Sequence, residues 1–511
     1  MGTAAAAFAV AAGLVVGCSN GDSAESGKAT STTPTAAAVD VDRVLAVDGT
    51  DLVATVDPRY QSHNIEMVEV TGGEFWKPFD SGPGKVVRPP IDLSSPRLRN
   101  LAKALGPAYI RVSGTWANST AFDPDGTPGE AVPEGFQGVL TGDQWTGVGE
   151  FADAVDGKVV TSFASSAGVH DAEGAWTTDQ ARSFLQFTLD HEIPLVAAEF
   201  YNEPGYNIGV PPGYDAAAFG RDFKTFKAVV DEVMPDLRIA GPGSGDDVTP
   251  IAIEPAIPSP EIFAAVGPGA FDIFSYHFYP KVSERCGSTE GPEAALTKEF
   301  LDRIEADKAF YEDLRNQEAP EAPMWVTETA QAACGGDRWA AQYIDVIRYV
   351  DTLGRLADGD GNVVFHNTLA ASDYGLIDED DLEPRPTYWA ALVWHRVMGD
   401  RVVAVTKAPA VDDLAVYAHC TPDAGGVTYA VVNSSRTETR TVAAGEKKAT
   451  VYQLTGEALD GGTIALNGEV LTAADDGTVP AVEGVTEAGP ISIPPASVTF
   501  VVDPTRTTAC A

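Results

Sequence analysis

Basic residues are scarce in this sequence, and their scarcity narrows the classes of function. The 511 residues include 34 Lys and Arg against 74 Asp and Glu, so the formal net charge is −40. A surface this acidic repels phosphate backbones and anionic lipids, which argues against nucleic-acid binding. It also disfavours wide docking of a densely sulfated polyanion.

Long apolar runs and metal-binding motifs are also missing. Nothing after the first 17 residues approaches the 18 or so apolar residues of a membrane-spanning helix, so the sequence does not predict a polytopic membrane protein. A hydrophobic content of 44% excludes a disordered chain. The five cysteines form no C-x-x-C pair and the seven histidines no H-E-x-x-H motif, so we expect neither a metal nor a cofactor.

The N-terminal segment has the features of an export signal. Residues 1–17 are uncharged and mostly apolar, which is typical of a signal peptide, although the basic residues that usually open one are absent. Residues 15–18, Val-Val-Gly-Cys, resemble a bacterial lipobox, and residues 18–40 have the Ser, Thr, Ala and Gly content of a flexible tether. We expect an extracellular lipoprotein anchored to the bacterial membrane through Cys18. A plain signal peptide with an incidental cysteine is the alternative.

Residues 58–399 alternate short β-branched runs with amphipathic segments, a pattern that predicts parallel β/α units. Eight candidate strands over this length fit a (β/α)8 barrel. An open doubly wound sheet is the competing fold, but no Gly-rich phosphate loop follows the first strand. The candidate strands are His63–Glu66, Ala108–Val112, Val159–Phe163, Leu195–Tyr201, Arg238–Ala240, Asp272–Tyr276, Met324–Thr327 and Val363–Asn367.

After residue 400 the helical periodicity stops and alternating strands separated by Gly and Asp turns take its place. Residues 400–511 therefore predict a β-sandwich. Residues 41–57 alternate in the same way, and we expect them to join the sandwich as extra strands.

Two glutamates follow barrel strands at the end where barrel enzymes carry their chemistry. Glu203, in the sequence Asn202-Glu203-Pro204, comes after the fourth strand, and Glu328 ends the seventh. A charged side chain at the end of an apolar strand costs free energy unless it is paired or used. A carboxylic acid facing a carboxylate is what glycoside hydrolysis needs. Ordinary strand-end residues in salt bridges are the alternative interpretation of each glutamate alone.

The motifs N-E-P and W-V-T-E-T resemble those of retaining glycosidases, and the chain as a whole resembles glycoside hydrolase family 79, the heparanase and β-glucuronidase group. The resemblance covers about residues 45–511. It is carried by LRNLAKALGPAYIRVSGT, SYHFYP, VTETAQAACGG, ASDYGLID and PRPTYWAALVWHRVMGDRVV in the barrel. In the sandwich it is carried by YAHCT and ISIPPASVTFVVD.

The resemblance implies a role for each matching position. Glu203 would be the acid/base, Glu328 the nucleophile, and Asn202 the partner of the sugar 2-hydroxyl. Backbone amides of the glycine loop and a tyrosine hydroxyl would hold the uronate carboxylate in an anion nest. The remaining contacts would come from Glu66 and Thr115 to the sugar and from Tyr279 to Glu328. The positions matching the carboxylate site are Gly335, Gly336 and Tyr374. Arg111 would point inward and keep a carboxylate ionised, or would form a structural ion pair.

Four cysteines remain besides Cys18, and their even number favours disulfides, with three possible connectivities. The resembling family has a disulfide at the positions of Cys420 and Cys510. Cys286 and Cys334 follow the sixth and seventh strands, which are neighbours in a closed barrel, so we expect a second bridge there.

The predicted function is a retaining β-glucuronidase that acts as a monomer on a glucuronide or another uronate-containing saccharide. One alternative is a heparanase-like endo-glucuronidase. The acidic net charge and the neutral-to-acidic loop after the third strand argue against it. A catalytically silent sugar-binding lipoprotein is another, although both glutamates are present. Xylanases and arabinofuranosidases are a third alternative. They share the two glutamates but have no reason to keep Gly335, Gly336 and Tyr374, the residues that would bind a uronate carboxylate.

Overall fold

The computed structural model describes residues 41–511 apart from 80, 81, 83, 128, 130, 249–255, 407–409, 423–424 and 446–447. The predicted signal peptide (residues 1–17) and tether (residues 18–40), including Cys18, lie outside the described residues. Within the described ranges, no helix combines the length and the apolar character needed to cross a bilayer.

Eight parallel strands close into a barrel, which confirms the predicted fold. Each strand pairs with its neighbours in chain order, and the eighth pairs back with the first. The fourth strand ends at Glu199, earlier than the sequence pattern indicated, and the fifth continues to Ser244. The barrel strands are Gln61–Glu66, Ala108–Ser113, Gly157–Ser162, Leu195–Glu199, Arg238–Ser244, Ile273–Phe278, Met324–Thr329 and Val363–His366.

Amphipathic helices alternate with these strands along the chain. The helix Pro96–Ala104 begins with Pro96 in its first turn after Ser95, whose hydroxyl accepts the N–H of Leu98, and its leucines 98 and 101 are fully buried. The described helices are Met67–Thr71, Pro96–Ala104, Gly142–Ala154, Asp179–Asp190, Ala216–Val233, Ser259–Val266, Lys298–Leu301, Arg303–Glu318, Asp345–Leu356 and Pro386–Val397.

An apolar plug fills part of the barrel interior. The rings of Tyr109 and Trp325 have centroids 4.7 Å apart, and Phe365 packs against both. Seven of the eight strands contribute a residue to this cluster. Polar side chains placed further along the same strands therefore lie toward the carboxyl end of the barrel, on a packed floor.

Strands of the C-terminal region form the β-sandwich, and both N-terminal strands join it. A three-stranded sheet contains Arg43–Leu45, Arg440–Ala444 and Ile491–Ile493. In the larger sheet, Val47–Thr55 pairs with Arg401–Val405 at one edge. The other described strands of the larger sheet are Leu414–Cys420, Val427–Asn433, Ser497–Asp503, Ala449–Thr455, Ala465–Leu466, Glu469–Val470 and Val485–Glu487.

Two small sheets that the sequence pattern does not predict lie in loops of the barrel. Gly73–Trp76 and Lys85–Arg88 form an antiparallel hairpin in the segment after the first strand. Thr120–Asp123 and Gly138–Thr141 pair in parallel in the segment after the second strand. Both segments extend the walls above the barrel.

Candidate active site

Strand periodicity places three charged or titratable side chains inside the barrel. Successive side chains on a strand point to opposite faces, so residues two or four positions after a plug residue share its face. Arg111 follows the plug residue Tyr109 by two positions, and Glu199 follows Ala197 by two. His277 follows Ile273 by four positions. All three side chains are buried.

A β-bulge brings Glu328 to the same interior. Trp325 belongs to the plug, so strict alternation would turn Glu328 to the opposite face. The pairing of the sixth and seventh strands shifts between Val326 and Glu328, which lies opposite His277. The extra residue, Thr327, re-aims the side chain that follows it, as bulges beside active sites do.

Glu203 lies beyond the end of the fourth strand, in a loop that is tightly held. Its backbone is left-handed, with φ 50° and ψ 60°, and it precedes a short 3₁₀ turn at Pro204–Tyr206. The amide side chain of Asn118 accepts the N–H of Asn202 at 2.8 Å and donates to its carbonyl, also at 2.8 Å. This pair of hydrogen bonds fixes the loop from which Glu203 reaches back over the barrel.

His277 lies between the two glutamates. Its Nδ1 is 3.0 Å from Oε1 of Glu203 and 3.6 Å from Oε2 of Glu328. One oxygen of each carboxylate and a nitrogen of His277 all lie within 4.8 Å of one another. Burial alone would lower the pKa of His277, but the charge of Glu328 and the hydrogen bond to Glu203 outweigh it and raise that pKa.

The surroundings of Glu328 favour its ionised form. Its Oε1 accepts a hydrogen bond from Arg111 at 3.0 Å, and its Oε2 accepts one from the hydroxyl of Tyr279 at 2.9 Å. Burial by itself would raise the pKa of Glu328. The charges of His277 and Arg111 and the Tyr279 hydrogen bond more than offset burial, so the pKa lies below its ordinary value.

Arg111 connects Glu328 to the floor of the site. Its guanidinium donates two hydrogen bonds to Oε2 of Glu199, at 3.1 and 2.7 Å, and a third to Oδ1 of Asn202 at 2.7 Å. Both interpretations of Arg111 therefore describe part of its role, because it pairs with a structural carboxylate and with a candidate catalytic one. The ion pairs with Glu199 and Glu328 fix the guanidinium in position.

Glu66, Tyr279 and Tyr374 meet through Asn367. The side-chain amide of Asn367 donates to Tyr279 at 2.9 Å and to Glu66 at 3.2 Å, and lies 3.4 Å from the hydroxyl of Tyr374. Burial and the charge of Glu328 raise the pKa of Glu66 well above its ordinary value, although the bond from Asn367 opposes this. A carboxyl that retains its proton can donate a hydrogen bond to a sugar oxygen.

The turn after the second strand leaves space for that carboxyl. A Cβ added to Gly114 would lie 1.6 Å from Oε2 of Glu66, and the φ of Gly114 is +88°. A glycine is therefore required in the S-G-T turn. Thr115, the next residue, lines the cavity of about 440 Å³ that lies above the two glutamates and is described below.

The glycine loop after the seventh strand is braced from several sides. The disulfide Cys286–Cys334 joins it to the sixth-strand loop, and the second bridge, Cys420–Cys510, lies in the sandwich, so both predicted pairings are present. Arg285 donates to the carbonyl of Gly336, and the hydroxyl of Ser372 donates to that of Gly335 at 2.9 Å. Within the described part of the chain, the N–H groups of Gly335 and Gly336 have no protein acceptor.

A cavity of about 440 Å³ opens above these groups. The predicted residues that line it are Glu66, Thr115, Glu203, Tyr279, Glu328 and Tyr374. Asn202, Gly335 and Gly336 are not among the lining residues, although their neighbours Glu203 and Cys334 are. A second cavity, of about 870 Å³, adjoins the first and shares Asp246, His277, Tyr279 and Val282 with it.

Several residues of the site were not singled out in the sequence. Glu199 carried a usable signal, because it is a lone charge within an apolar strand. His277, Asn367 and Asn118 carried no comparable signal, since their roles depend on contacts between distant segments. Trp76 and Lys85, which also line the cavity, belong to the hairpin that was not predicted.

Glu203, His277 and Glu328 are spaced so that they could also coordinate a cation. The guanidinium of Arg111, 3.0 Å from Glu328, opposes a divalent ion there because it adds a positive charge at the same carboxylate. The arrangement instead suits proton transfer and attack by one carboxylate.

Comparison with known proteins identifies the family. Residues 87–354 match the model of the glycosyl hydrolase family 79 N-terminal domain. Heparanase-like protein 1 of Arabidopsis thaliana is 27% identical over 474 residues, which cover 81% of this chain and 85% of that protein. Baicalin-β-D-glucuronidase of Scutellaria baicalensis is 25% identical over 468 residues, covering 82% and 85%.

A solved structure, that of a 4-O-α-L-rhamnosyl-β-D-glucuronidase from Fusarium oxysporum, aligns with 90% of this chain and 99% of its own. The TM-score is 0.63 at 13% sequence identity, so this match supports the fold alone. The family model spans just over half of the chain, and the relatives extend the likeness into the sandwich. The chain therefore belongs to glycosyl hydrolase family 79.

Proposed function

We propose that this glycosidase is a retaining β-glucuronidase in which Glu328 is the nucleophile and Glu203 the acid/base. Glu328 attacks the anomeric carbon while Glu203 gives its proton to the leaving oxygen, forming a glycosyl-enzyme. Glu203 then takes a proton from water, which hydrolyses that intermediate. The observation that carries the proposal is the pair of carboxylate oxygens within 4.8 Å, beside a glycine loop with two N–H groups that have no acceptor among the described residues.

The surroundings of the two carboxyls support this division of roles. Glu328 is held ionised by Arg111 and Tyr279 and fixed by both hydrogen bonds, as a nucleophile requires. Glu203 is more exposed, with 16% of its side-chain surface accessible against 7% for Glu328, so it can exchange a proton with water more readily. The short spacing of the carboxylate oxygens leaves little room for the water that an inverting mechanism places between the carboxyls.

A uronate is the glycone that the glycine loop favours. The N–H groups of Gly335 and Gly336 and the hydroxyl of Tyr374 are donors that a C6 carboxylate can satisfy. The name of the Scutellaria relative, a β-D-glucuronidase, agrees with this choice. The adjoining cavity of about 870 Å³ gives space for the leaving group on the side of His277.

Weakly charged glucuronides suit this site better than heparan sulfate does. Lys85 is the one Lys or Arg among the described residues that line the cavity of about 440 Å³, whereas four carboxyl groups line it. Lys281 and Arg303 line the adjoining cavity, but each is already paired with a carboxylate, Asp337 and Glu290 respectively. A sulfated chain needs several cations along its path. A silent sugar-binding protein is also disfavoured, since both glutamates are present and an oxygen of one lies within 4.8 Å of an oxygen of the other.

Glycone selectivity tests the substrate. We expect kcat/KM for an aryl β-glucuronide to exceed that for the matching β-glucoside by at least about 100-fold, because each buried donor left unpaired costs about 1–3 kcal/mol. Tyr374→Phe should narrow that gap while Glu328 remains functional. Comparable values on both substrates for the wild type would contradict the proposal.

The anomeric configuration of the product tests the mechanism. Proton NMR during hydrolysis should detect the β-anomer first, and Glu328→Gln should reduce kcat by on the order of a thousandfold or more. Early appearance of the α-anomer would exclude a retaining mechanism.

We also propose that the protein is exported and lipidated at Cys18. The support is the uncharged apolar segment 1–17 followed directly by that cysteine. Growth with a radiolabelled fatty acid should label the wild type and not Cys18→Ser. Equal labelling of both, or of neither, would contradict lipidation at this position.

A further inference from the structure

The cavity has an uneven distribution of charge. Glu66, Glu203, Asp246 and Glu328 line it, and Lys85 is the single Lys or Arg among its described lining residues. Arg111 is buried beneath, where Glu199 and Glu328 already share its charge. An anionic sugar therefore enters a cavity in which acidic side chains outnumber basic ones.

The hairpin after the first strand holds Lys85 in a fixed place at this cavity. Lys85 lies opposite Trp76 in the hairpin register, and its Nζ is 4.6 Å from the centroid of the Trp76 ring. The same Nζ is 5.1 Å from the ring of Trp116, which packs edge-on against Phe75 at 4.9 Å. Two indoles thus hold the ammonium group by cation–π contact without neutralising it.

Among the described residues, Lys85 forms no ion pair. In the described part of the chain, no carboxylate lies within 4.0 Å of its Nζ, in contrast to Lys281, which pairs with Asp337 at 2.6 Å. Lys85 is exposed and keeps at least one side of its ammonium open toward the cavity it lines.

Trp76 also places Lys85 beside the glycine loop. A Cβ added at Gly335 would lie 2.6 Å from Cβ of Trp76, so the two residues are in direct contact. The loop assigned to the uronate carboxylate and the indole that holds Lys85 are therefore parts of one wall.

We propose that Lys85 is a specificity-determining residue that supplies the positive charge for the carboxylate of the uronate. This inference rests on the proposed function and adds a residue to it. The N–H groups of the glycine loop offer partial charges and direction, whereas Lys85 offers a full charge that offsets the surrounding carboxyls. The two cation–π contacts restrict where the ammonium lies and leave its charge available to an anion.

Three variants test Lys85. Lys85→Met removes the charge but keeps an unbranched apolar side chain against both indoles, and Lys85→Arg keeps the charge. Lys224→Met is the matched control, since Lys224 is exposed on the helix Ala216–Val233 and its loss changes the net charge equally. Michaelis–Menten kinetics of each are measured on an aryl β-glucuronide and the matching β-glucoside.

We expect Lys85→Met to raise KM for the glucuronide about tenfold, as loss of a charge-assisted contact does, and to change KM for the glucoside less than about twofold. Lys85→Arg should retain most of the selectivity, and Lys224→Met all of it. An equal rise of KM on both substrates would mean that Lys85 only supports the hairpin, which overturns the inference. No change on either substrate would overturn it as well.

The outcome separates this inference from the proposed function. If the wild type does not prefer the glucuronide, the proposed function itself is wrong. If the wild type prefers it and Lys85→Met keeps the full preference, the glycine loop and Tyr374 suffice and only the role of Lys85 is rejected.

Discussion

At the scale of single residues, His277 is the link between the two candidate catalytic carboxyls. Its ring contacts Glu203 through Nδ1, and its Nε2 lies 3.5 Å from the guanidinium of Arg111. A buried imidazole with a raised pKa is charged over more of the neutral range than a free one. We therefore expect His277 to act as a positioning residue, because it lies 3.0 Å from Glu203 and 3.6 Å from Glu328 and its charge favours the ionised form of Glu328.

We predict that His277→Gln moves the acidic limb of the pH profile of kcat/KM to higher pH. The charge of His277 lowers the pKa of Glu328, so its removal raises that pKa and Glu328 becomes ionised only at a higher pH. The rate at the optimum should fall about 10- to 100-fold. The pH–rate profile of His191→Gln, an exposed histidine at the end of the helix Asp179–Asp190, is the control. A lowered rate with an unshifted limb would argue against this role.

Site residues whose own type and position stand out in the sequence were predictable. Residues whose role depends on contacts between distant segments were not. Glu203 and Glu328 stand out because carboxyls after apolar strands are costly and thus need a use. The role of Asn367, which joins Glu66 to Tyr279, is invisible in the sequence because those partners are far apart along the chain. The inward position of Arg111 was predicted, but its pairing with Glu199 followed only from the closed barrel.

At the scale of elements, the disulfide Cys286–Cys334 and the glycine loop form one unit. The bridge fixes Cys334, the residue directly before Gly335, to the loop after the sixth strand. Arg285, next to Cys286, contacts both Gly336 and Asp373. The position of the two N–H groups therefore depends on the bridge and on its neighbouring arginine.

We predict that replacing Cys286 and Cys334 by serine reduces glucuronide selectivity as well as stability. Removing a native bridge typically costs about 2–5 kcal/mol, and here the freed loop carries the N–H groups proposed to bind the uronate carboxylate. The Cys420→Ser and Cys510→Ser double variant is the matched control, because its bridge lies in the sandwich and should affect stability alone. Selectivity is measured as the ratio of kcat/KM on the two aryl substrates, and stability by urea unfolding. Equal selectivity in both double variants would contradict this prediction.

The order of elements was predictable, whereas the local irregularities were not. Alternation of apolar strands and amphipathic helices indicated the eight-stranded barrel. The bulge at Thr327 interrupts a different pattern, the alternation of side chains between the two faces of the seventh strand. The sequence does not reveal which residue of a strand is left unpaired in this way. The hairpin that carries Trp76 and Lys85 was missed because its strands are only four residues each.

At the scale of the whole molecule, the sandwich and the barrel share buried hydrogen bonds. The hydroxyl of Tyr343, from the barrel, lies 3.0 Å from the carbonyl of Leu454 and 2.8 Å from that of Ala496, both in the sandwich. Tyr417 of the sandwich donates to Asp351 of the barrel at 2.6 Å. Neither part buries these groups without the other.

We predict that Tyr343→Phe lowers the free energy of unfolding by about 1–3 kcal/mol, because the buried carbonyls of Leu454 and Ala496 lose the one hydroxyl proton that they share. Urea unfolding monitored by far-UV circular dichroism and by tryptophan fluorescence should still give one coincident transition. Tyr452→Phe is the control, since among the described residues the hydroxyl of Tyr452 has no hydrogen-bond partner. Equal stability of the two variants would mean that the Tyr343 contacts contribute little.

The net charge of −40 acts on large substrates before they reach the cavity. Long-range repulsion slows the encounter with a polyanion and is screened by salt over a Debye length of about 10 Å at 0.1 M. We therefore predict that kcat/KM for a heavily sulfated uronate polysaccharide is lower at low salt than for an unsulfated uronate oligosaccharide of similar length. The gap should narrow as NaCl rises, because screening removes the repulsion and leaves the contacts of the site unchanged. Faster cleavage of the sulfated chain at low salt would show that a basic path outside the described cavity outweighs the overall charge, and it would favour a heparanase-like activity.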